Sequence, residues 1–186
     1  MRGQRMNSEA ISKTRLGGLF VRIIAAIMES RFRYRFFGPG KILEGAGIGR
    51  GQKVLEIGCG TGFFTLPAAK MLGEQGALVA MDMLQASVDT VTERVRKAGL
   101  HNVRVVKGDA LNTRLEDGSF DKVIIFGVLP APMLPMEKLM GEMHRVLKPG
   151  GEMAVWPPSW VDASIRKTGL FQSSTKRKNV MKYVRV

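Results

Sequence analysis

The sequence predicts an α/β protein, a doubly wound and mostly parallel sheet with helices on both faces, carrying a helical N-terminal extension. Three observations predict it. Short apolar runs at Lys53–Ile57, Ala77–Asp82, Val103–Lys107, Phe120–Phe126 and Glu152–Trp156 recur along the chain, and segments with helical spacing lie between most of them, as in βαβ units. The first run stops at Gly58, Gly60 and Gly62, three glycines spaced two apart, which reads as strand, tight turn, helix. The tail, residues 161–186, has room for a short helix and a closing antiparallel pair near Phe171–Lys178 and Val180–Val186.

Composition bounds the answer before any motif does. A chain of 186 residues that is 45% hydrophobic is long enough for one domain with a full core. Its single cysteine, Cys59, excludes internal disulfides and Cys-based metal clusters and suits a reducing compartment. Two isolated histidines add no metal site, so none is expected. The net charge of +13 is uneven: residues 1–53 carry 11 Lys/Arg against 3 Asp/Glu, and residues 161–186 carry 7 against 1. The middle of the chain is near neutral. The two basic ends therefore face something anionic, whether nucleic acid, a membrane surface or an acidic substrate.

In chain order, residues 1–15 are basic and polar, and Leu16–Phe37 is apolar but studded with arginine. Arg15, Arg22, Glu29 and Arg33 fall on one narrow helical face, with Phe20, Ile23, Ile24, Ile27 and Met28 over the rest, which predicts a helix. Its uncharged stretches are shorter than the roughly 20 residues that span a bilayer. Arg22 interrupts a secretory h-region, whereas the Arg-rich, acid-poor composition of residues 1–36 also fits a transit peptide. Phe20, Ile24, Phe32, Phe36 and Phe37 with Arg22, Arg31, Arg33 and Arg35 could lie along an anionic lipid surface or pack on the sheet edge. The expected division is an extension over 1–40 and a domain over 41–186, with Gly38-Pro39-Gly40 as the break and a short helix over Lys41–Ala46.

Val54, Leu55 and Ile57 then form the first strand, buried on both faces, and Phe63–Leu72 continues as a helix whose positive end faces the turn. Something polar or anionic suits that end. A Walker A loop is excluded because no Lys-Ser or Lys-Thr follows the glycines. The dinucleotide fingerprint fits poorly, since it would place its third glycine at Phe63; a nicotinamide-dependent oxidoreductase ranks third for that reason. What remains is E-x-G-x-G-x-G, with Glu56 at the strand's end. A carboxylate there would repel a pyrophosphate and attract a ligand carrying an amino group.

The second strand ends in Asp82, 20 residues past Gly62, about the distance at which an acid meets ribose hydroxyls. Asp82 could equally cap the helix over Leu84–Ala98. Gly99 ends that helix, and the third strand is followed by Gly108-Asp109-Ala110.

From about Lys41 to about Trp156 the chain resembles the class I S-adenosylmethionine-dependent methyltransferases. VLEIGCGTG (54–62) looks like their first motif, and Asp82, Gly108-Asp109 and Arg145–Gly151 (RVLKPGG) agree with it in order and spacing. The resemblance implies a seven-stranded sheet whose strand ends gather Glu56, Gly58, Cys59, Gly60, Gly62, Asp82, Met83, Asp109, Ala110 and Gly127 around S-adenosylmethionine, with S-adenosylhomocysteine as product. Met83 would pack on the adenine, Asp109 would accept from its amino group and the Ala110 N–H would reach the ring.

The family's acceptor site lies at Gly127–Pro135. The [Asn/Asp]-Pro-Pro-aromatic motif of nucleobase amino-methyltransferases is absent there, since Pro130-Ala131-Pro132 offers no side-chain acceptor. The similar Trp156-Pro157-Pro158-Ser159-Trp160 falls after the fifth strand. No catalytic residue is assigned: Tyr34 and Asp162 are candidates that read equally as packing and as a helix cap, and His101 and His144 lie toward the far end of the strands. Cys59 reads as a small loop residue, Asp121 as structural, and Arg145–Gly151 as a turn builder.

The expected function is methyl transfer to a small-molecule or lipid-like acceptor, in the cytoplasm, with a peripheral membrane position open. The competing class is a methyltransferase-fold protein that binds or modifies RNA through the basic termini.

Overall fold

The computed structural model describes residues 38–129, 135–157 and 161–186. The helix read at Leu16–Phe37, candidate Tyr34, residues 130–134 of the acceptor loop and residues 158–160 lie outside them. Twelve elements follow in order: α1 (Pro39–Gly45), β1 (Lys53–Ile57), α2 (Thr65–Leu72), β2 (Ala77–Asp82), α3 (Gln85–Lys97), β3 (Val103–Lys107), β4 (Phe120–Phe126), α4 (Met136–Val146), β5 (Leu147–Trp156), α5 (Val161–Lys167), β6 (Phe171–Arg177) and β7 (Val180–Arg185). The seven strands form one sheet in the order β3-β2-β1-β4-β5-β7-β6. β1 to β5 run parallel, and β7 is antiparallel to both β5 and β6. The doubly wound class is what the sequence predicts.

Burial on both faces explains why the parallel strands read as continuous apolar runs. Leu55 and Ile57 of β1 point into a core closed by Leu139, Met140, Met143 and Val146 of α4. Val54 points the other way, into a core with Leu43 of α1 and Ala68, Ala69 and Leu72 of α2. The α4 residues recur at helical spacing, a stripe that buries one face of the helix. The tail pair is a hairpin: Arg177 opposes Val180, and Lys178 and Asn179 between them have φ of 48° and 61°, as a two-residue type I′ turn requires.

Three details add to the sequence reading or depart from it. α2 begins at Thr65, two residues later than expected, because Phe63 and Phe64 are spent on the turn and buried at 4% exposure each. Lys148–Gly151 does form a turn, but within β5: Leu147 pairs with Phe120, the register then shifts, and Glu152 pairs with Lys122. Gly150 has φ 71° there, a left-handed conformation that favours glycine. Finally, residues 108–119 join β3 to β4 without a helix, with a single bridge between Asp109 and Asn112 as their regular structure.

Lys122 of β4 is a buried basic side chain in this sheet. The Lys122 side chain is 2% exposed, and its Nζ donates to the Ala46 carbonyl at 2.8 Å and to Glu152 Oε2 at 2.5 Å. Lys182 Nζ donates to the other Glu152 oxygen at 3.0 Å. The cluster pins the turn after α1 to the two strands beneath it. Removing one member leaves an uncompensated buried charge, so Glu152→Ala should destabilise the domain by about 3 kcal/mol, while Lys122→Met with Glu152→Leu should cost less; denaturant titration of the two variants checks the order.

Candidate functional site

The strand order reverses between β1 and β4: from β1 the chain winds out to β2 and β3, then crosses back to β4 on β1's other side. Ligands of open α/β sheets bind in the crevice that this reversal leaves at the strands' carboxyl ends. Gly58 leaves β1 at that point and Val128 leaves β4 beside it. A Cβ on Gly58 would lie 2.4 Å from Val128 Cγ2, and Gly58 has φ 74°. Both facts call for glycine. Gly60 and Gly62 also have positive φ, 53° and 86°, so all three glycines take up conformations that other residues avoid.

The loop is fastened on three sides. The Gly58 and Cys59 N–H groups both donate to the Met81 carbonyl, at 2.8 and 3.0 Å, and the Gly62 N–H donates to the Cys59 carbonyl at 2.8 Å. Asp82 bridges two turns: its Oδ2 accepts from the Gly60 N–H and its Oδ1 from the Leu84 N–H, each at 2.9 Å. Arg94 of α3 donates from Nη1 to the Thr61 carbonyl at 2.9 Å. Of the two sequence readings of Asp82, the structure carries the contact at the entry to α3. It holds the turn into α3, and an ionised carboxylate has lone pairs left for ribose hydroxyls.

Glu56 sits beneath the loop, 2% exposed, where its Oε2 accepts from Thr65 Oγ1 at 2.6 Å. Burial pushes its carboxyl up to about 7, against the downward pull of the Thr65 hydroxyl, and the Asp82 charge adds to the rise. Among the described residues no ion pair reaches Glu56 or Asp82. Two carboxylates that sense each other and lack a basic partner form a site that a cation relieves. The Cys59 thiol, also buried, is pushed far up, first by burial and then by the same two carboxylates. It is a packing group, as the sequence implied, since nucleophilic cysteines need a lowered pKa.

Beyond Asp82 the crevice opens into a cavity of about 350 Å³ lined by Met83, Lys107, Gly108, Asp109, Thr113 and Arg114. Met83 is 52% exposed, a large apolar side chain at the cavity wall. Asp109 Oδ1 accepts from the Leu111 N–H at 2.8 Å. Ala110 packs against the core beside Leu111. The Gly127 N–H is engaged with the Trp156 carbonyl at 2.8 Å, so Gly127 shapes the end of β4 by a backbone bond of its own.

On the other side of the glycine loop, Phe64 meets Phe63, Phe126 and Trp156 edge-on at centroid distances of 4.9, 4.9 and 5.9 Å. Phe126 and Trp156 end β4 and β5, so the cluster packs the ends of these strands against the glycine turn.

Asp162, His144 and Asp121, away from the crevice, are engaged elsewhere. Asp162 accepts from the Tyr183 hydroxyl at 2.9 Å and pairs with Arg166 at 3.0 Å. His144 Nε2 lies 2.8 Å from the Val186 carbonyl oxygen, with its ring against Phe171. Asp121 accepts from the Lys53 N–H at 2.7 Å and from Lys148 Nζ at 2.5 Å, a structural tie at the strands' amino ends. No group of three or more potential metal ligands occurs among the described residues.

A family model described as a methyltransferase domain matches residues 48–184. This chain belongs to the methyltransferase-domain family. Across 97% of its length the domain superposes with a TM-score of 0.73 on a SAM-dependent methyltransferase from Aquifex aeolicus, covering 98% of that chain at 24% identity. It also superposes on the PH0226 protein from Pyrococcus horikoshii, with TM-score 0.71 and 20% identity over 90% and 99% of the two chains. Demethylmenaquinone methyltransferases of Listeria welshimeri and Staphylococcus aureus are 35% and 36% identical to this methyltransferase domain over 108 and 112 residues. Those stretches are 58% and 60% of the chain, and 45% of each relative's length. The chain thus matches less than half the length of these curated relatives. Another structural neighbour, at TM-score 0.65 and 25% identity over 74% of this chain and 57% of its own, is the [4+2]-cyclase SpnF; the fold by itself does not fix the reaction.

S-adenosylmethionine is the cofactor of this methyltransferase class, and the residues present fit it: an acidic pair with no ion pair among the described residues for a cationic ligand, a glycine backbone open to close approach, and a cavity with an exposed thioether at its wall. Arg94 and Thr65 were not legible as parts of this site. Each meets its partner only through the turn, 33 and 9 residues away in sequence.

Gly58 gives the sharpest test of the geometry. Gly58→Ala should destabilise the domain by about 1–2 kcal/mol from the left-handed backbone, with the Val128 clash added. Pairing it with Val128→Ala should recover the clash part alone, as thermal melts of the two variants will show.

Proposed function

We propose that this chain transfers a methyl group from S-adenosylmethionine to a small, lipid-like acceptor, a quinone-type ring being the favoured class. The observation that carries the reading is the pair Glu56 and Asp82, two carboxylates that converge on the glycine loop with no ion pair among the described residues. When bound, the cofactor supplies an electrophilic methyl group on a positively charged sulfur.

The chain's own residues then bind, orient and exclude water. Glu56 balances the ligand's ammonium group from below the loop. Asp82, already oriented by the Gly60 and Leu84 N–H groups, accepts from the ribose hydroxyls. Met83 and Asp109 hold the adenine, with the Ala110 N–H at its edge, and Gly58, Cys59, Gly60 and Gly62 supply the close backbone wall. An acceptor held in line with the methyl–sulfur bond gains much of its acceleration from that geometry alone, so an acceptor that is already nucleophilic needs no general base. This agrees with a crevice whose described residues include no free histidine or low-pKa cysteine.

The class of acceptor is supported by the names of the relatives. Among the described residues no helix is long and apolar enough to cross a membrane. We place the enzyme in the cytoplasm, with the basic apolar extension over residues 1–40 meeting the lipid-like substrate at an anionic surface and residues 41–186 as the catalytic domain. Isotope-labelled S-adenosylmethionine with a demethylated quinol, in anionic vesicles, tests the reaction. RNA binding through the termini is the second reading, favoured by exposed Lys176 and Arg177 at the hairpin tip. It requires RNA affinity that falls steeply with salt, and quinol turnover without such affinity would end it.

The Glu56 environment fixes a pH signature. Its folded-state pKa of about 7 lies above the ordinary 4.5, so the ligand-free protein holds the proton more tightly than the unfolded chain does. The stability that Glu56 contributes is therefore present at low pH and lost as pH rises from 4.5 to about 7. The cofactor's ammonium group needs the ionised form, so S-adenosylhomocysteine should bind about tenfold tighter at pH 8 than at pH 6. Calorimetry should find both trends gone in Glu56→Gln; a wild-type affinity flat across this range would contradict the role given to Glu56.

A further inference from the structure

The connection from β3 to β4, residues 108–119, lines the cavity of about 350 Å³ with Gly108, Asp109, Thr113 and Arg114, yet it has no helix of its own to hold it. Its attachment comes from α4. The Thr113 N–H and Oγ1 both donate to Glu142 Oε1, at 2.7 and 2.6 Å. Arg145 donates from Nε and Nη2 to the two Glu142 oxygens at 2.9 and 2.7 Å, from Nη1 to the Leu115 carbonyl at 2.7 Å, and from Nη2 to Thr113 Oγ1 at 3.2 Å. It also pairs with Asp117. The loop's far end is tied by backbone, with the Gly118 and Ser119 N–H groups donating to the Arg145 and Val146 carbonyls at 2.9 Å each.

We infer that Glu142 and Arg145 are positioning residues for the cofactor, which fix the adenine end of the site by clamping Thr113. This rests on the proposed placement of the adenosine. The clamp is preorganised, since the bidentate Arg145 contact holds the Glu142 carboxyl down at about 2, and it stays ionised at any pH where the enzyme works. Thr113 is 6% exposed and sits four residues after Asp109, so a shift of its backbone moves the acceptor meant for the adenine amino group. Arg145 was read from sequence as a builder of the following turn. Its guanidinium contacts Glu142 and, in the β3–β4 connection, Thr113, the Leu115 carbonyl and Asp117.

The test compares two ligands on the full chain: S-adenosylhomocysteine, and S-inosylhomocysteine, which has a carbonyl where adenine has its amino group. The wild type should prefer the first by about tenfold or more. Thr113→Val, which keeps the side-chain shape and leaves the Glu142–Arg145 pair intact, should weaken S-adenosylhomocysteine binding by about tenfold and erase most of the preference. Glu142→Gln should do the same, and Thr113→Ser should restore both. A structural role alone would lower the melting temperature and leave the ligand preference as in the wild type, and that result would overturn the clamp while the adenosine site stands. If the wild type binds neither ligand, the proposed function fails and the clamp with it.

Discussion

The functional end of this sheet depends on one close approach, that of the Gly58 backbone to Val128 where the strand order reverses. Only a residue without a Cβ lets the turns after β1 and β4 come this near, and only a left-handed backbone at Gly58 sends the chain back over β2 instead of onward. With the approach made, the Gly58 and Cys59 N–H groups reach the Met81 carbonyl, Gly60 reaches Asp82, and Arg94 reaches Thr61. The crevice is therefore rigid before any ligand arrives, a condition under which fixed charges act most strongly.

That rigidity has an electrostatic cost which the ligand can offset. Glu56 is buried under its own loop with one hydroxyl for a partner, and Asp82 lies close enough to raise its pKa further. A buried carboxylate without a cation is unfavourable, and evolution commonly keeps such groups where binding supplies what is missing. A cofactor with an ammonium group and a sulfonium supplies it twice. The same logic explains why Cys59, inside the loop, is inert: the charges that welcome a cation oppose a thiolate.

The end of the site at the β3–β4 loop, where we propose that the adenine sits, is built differently. With no helix between β3 and β4, its wall is a loop whose apolar side chains, Ala110, Leu111 and Leu115, pack on the α4 core and whose polar groups are held by Glu142 and Arg145. The two ends of the site thus draw on separate supports, backbone hydrogen bonds at the glycine loop and a side-chain ion pair at the adenine loop.

The sequence by itself determined the class of fold, the parallel strands, the glycine turn and the acids at the strand ends, because each is written in local chemistry: buried strands need continuous apolar runs, and a sharp turn against a neighbouring loop needs glycine. The spacing of Asp82 and Asp109 was legible for the same reason, since strand and helix lengths fix where the next strand ends. Only the tertiary structure decided that Glu56 lies beneath the glycine loop with the Thr65 hydroxyl on its carboxylate, that Glu142 and Arg145 hold Thr113, and that Phe64 gathers Phe126 and Trp156. Those contacts join residues from different crossovers, and their side chains are brought together by the winding of the sheet, which no local pattern of residues encodes.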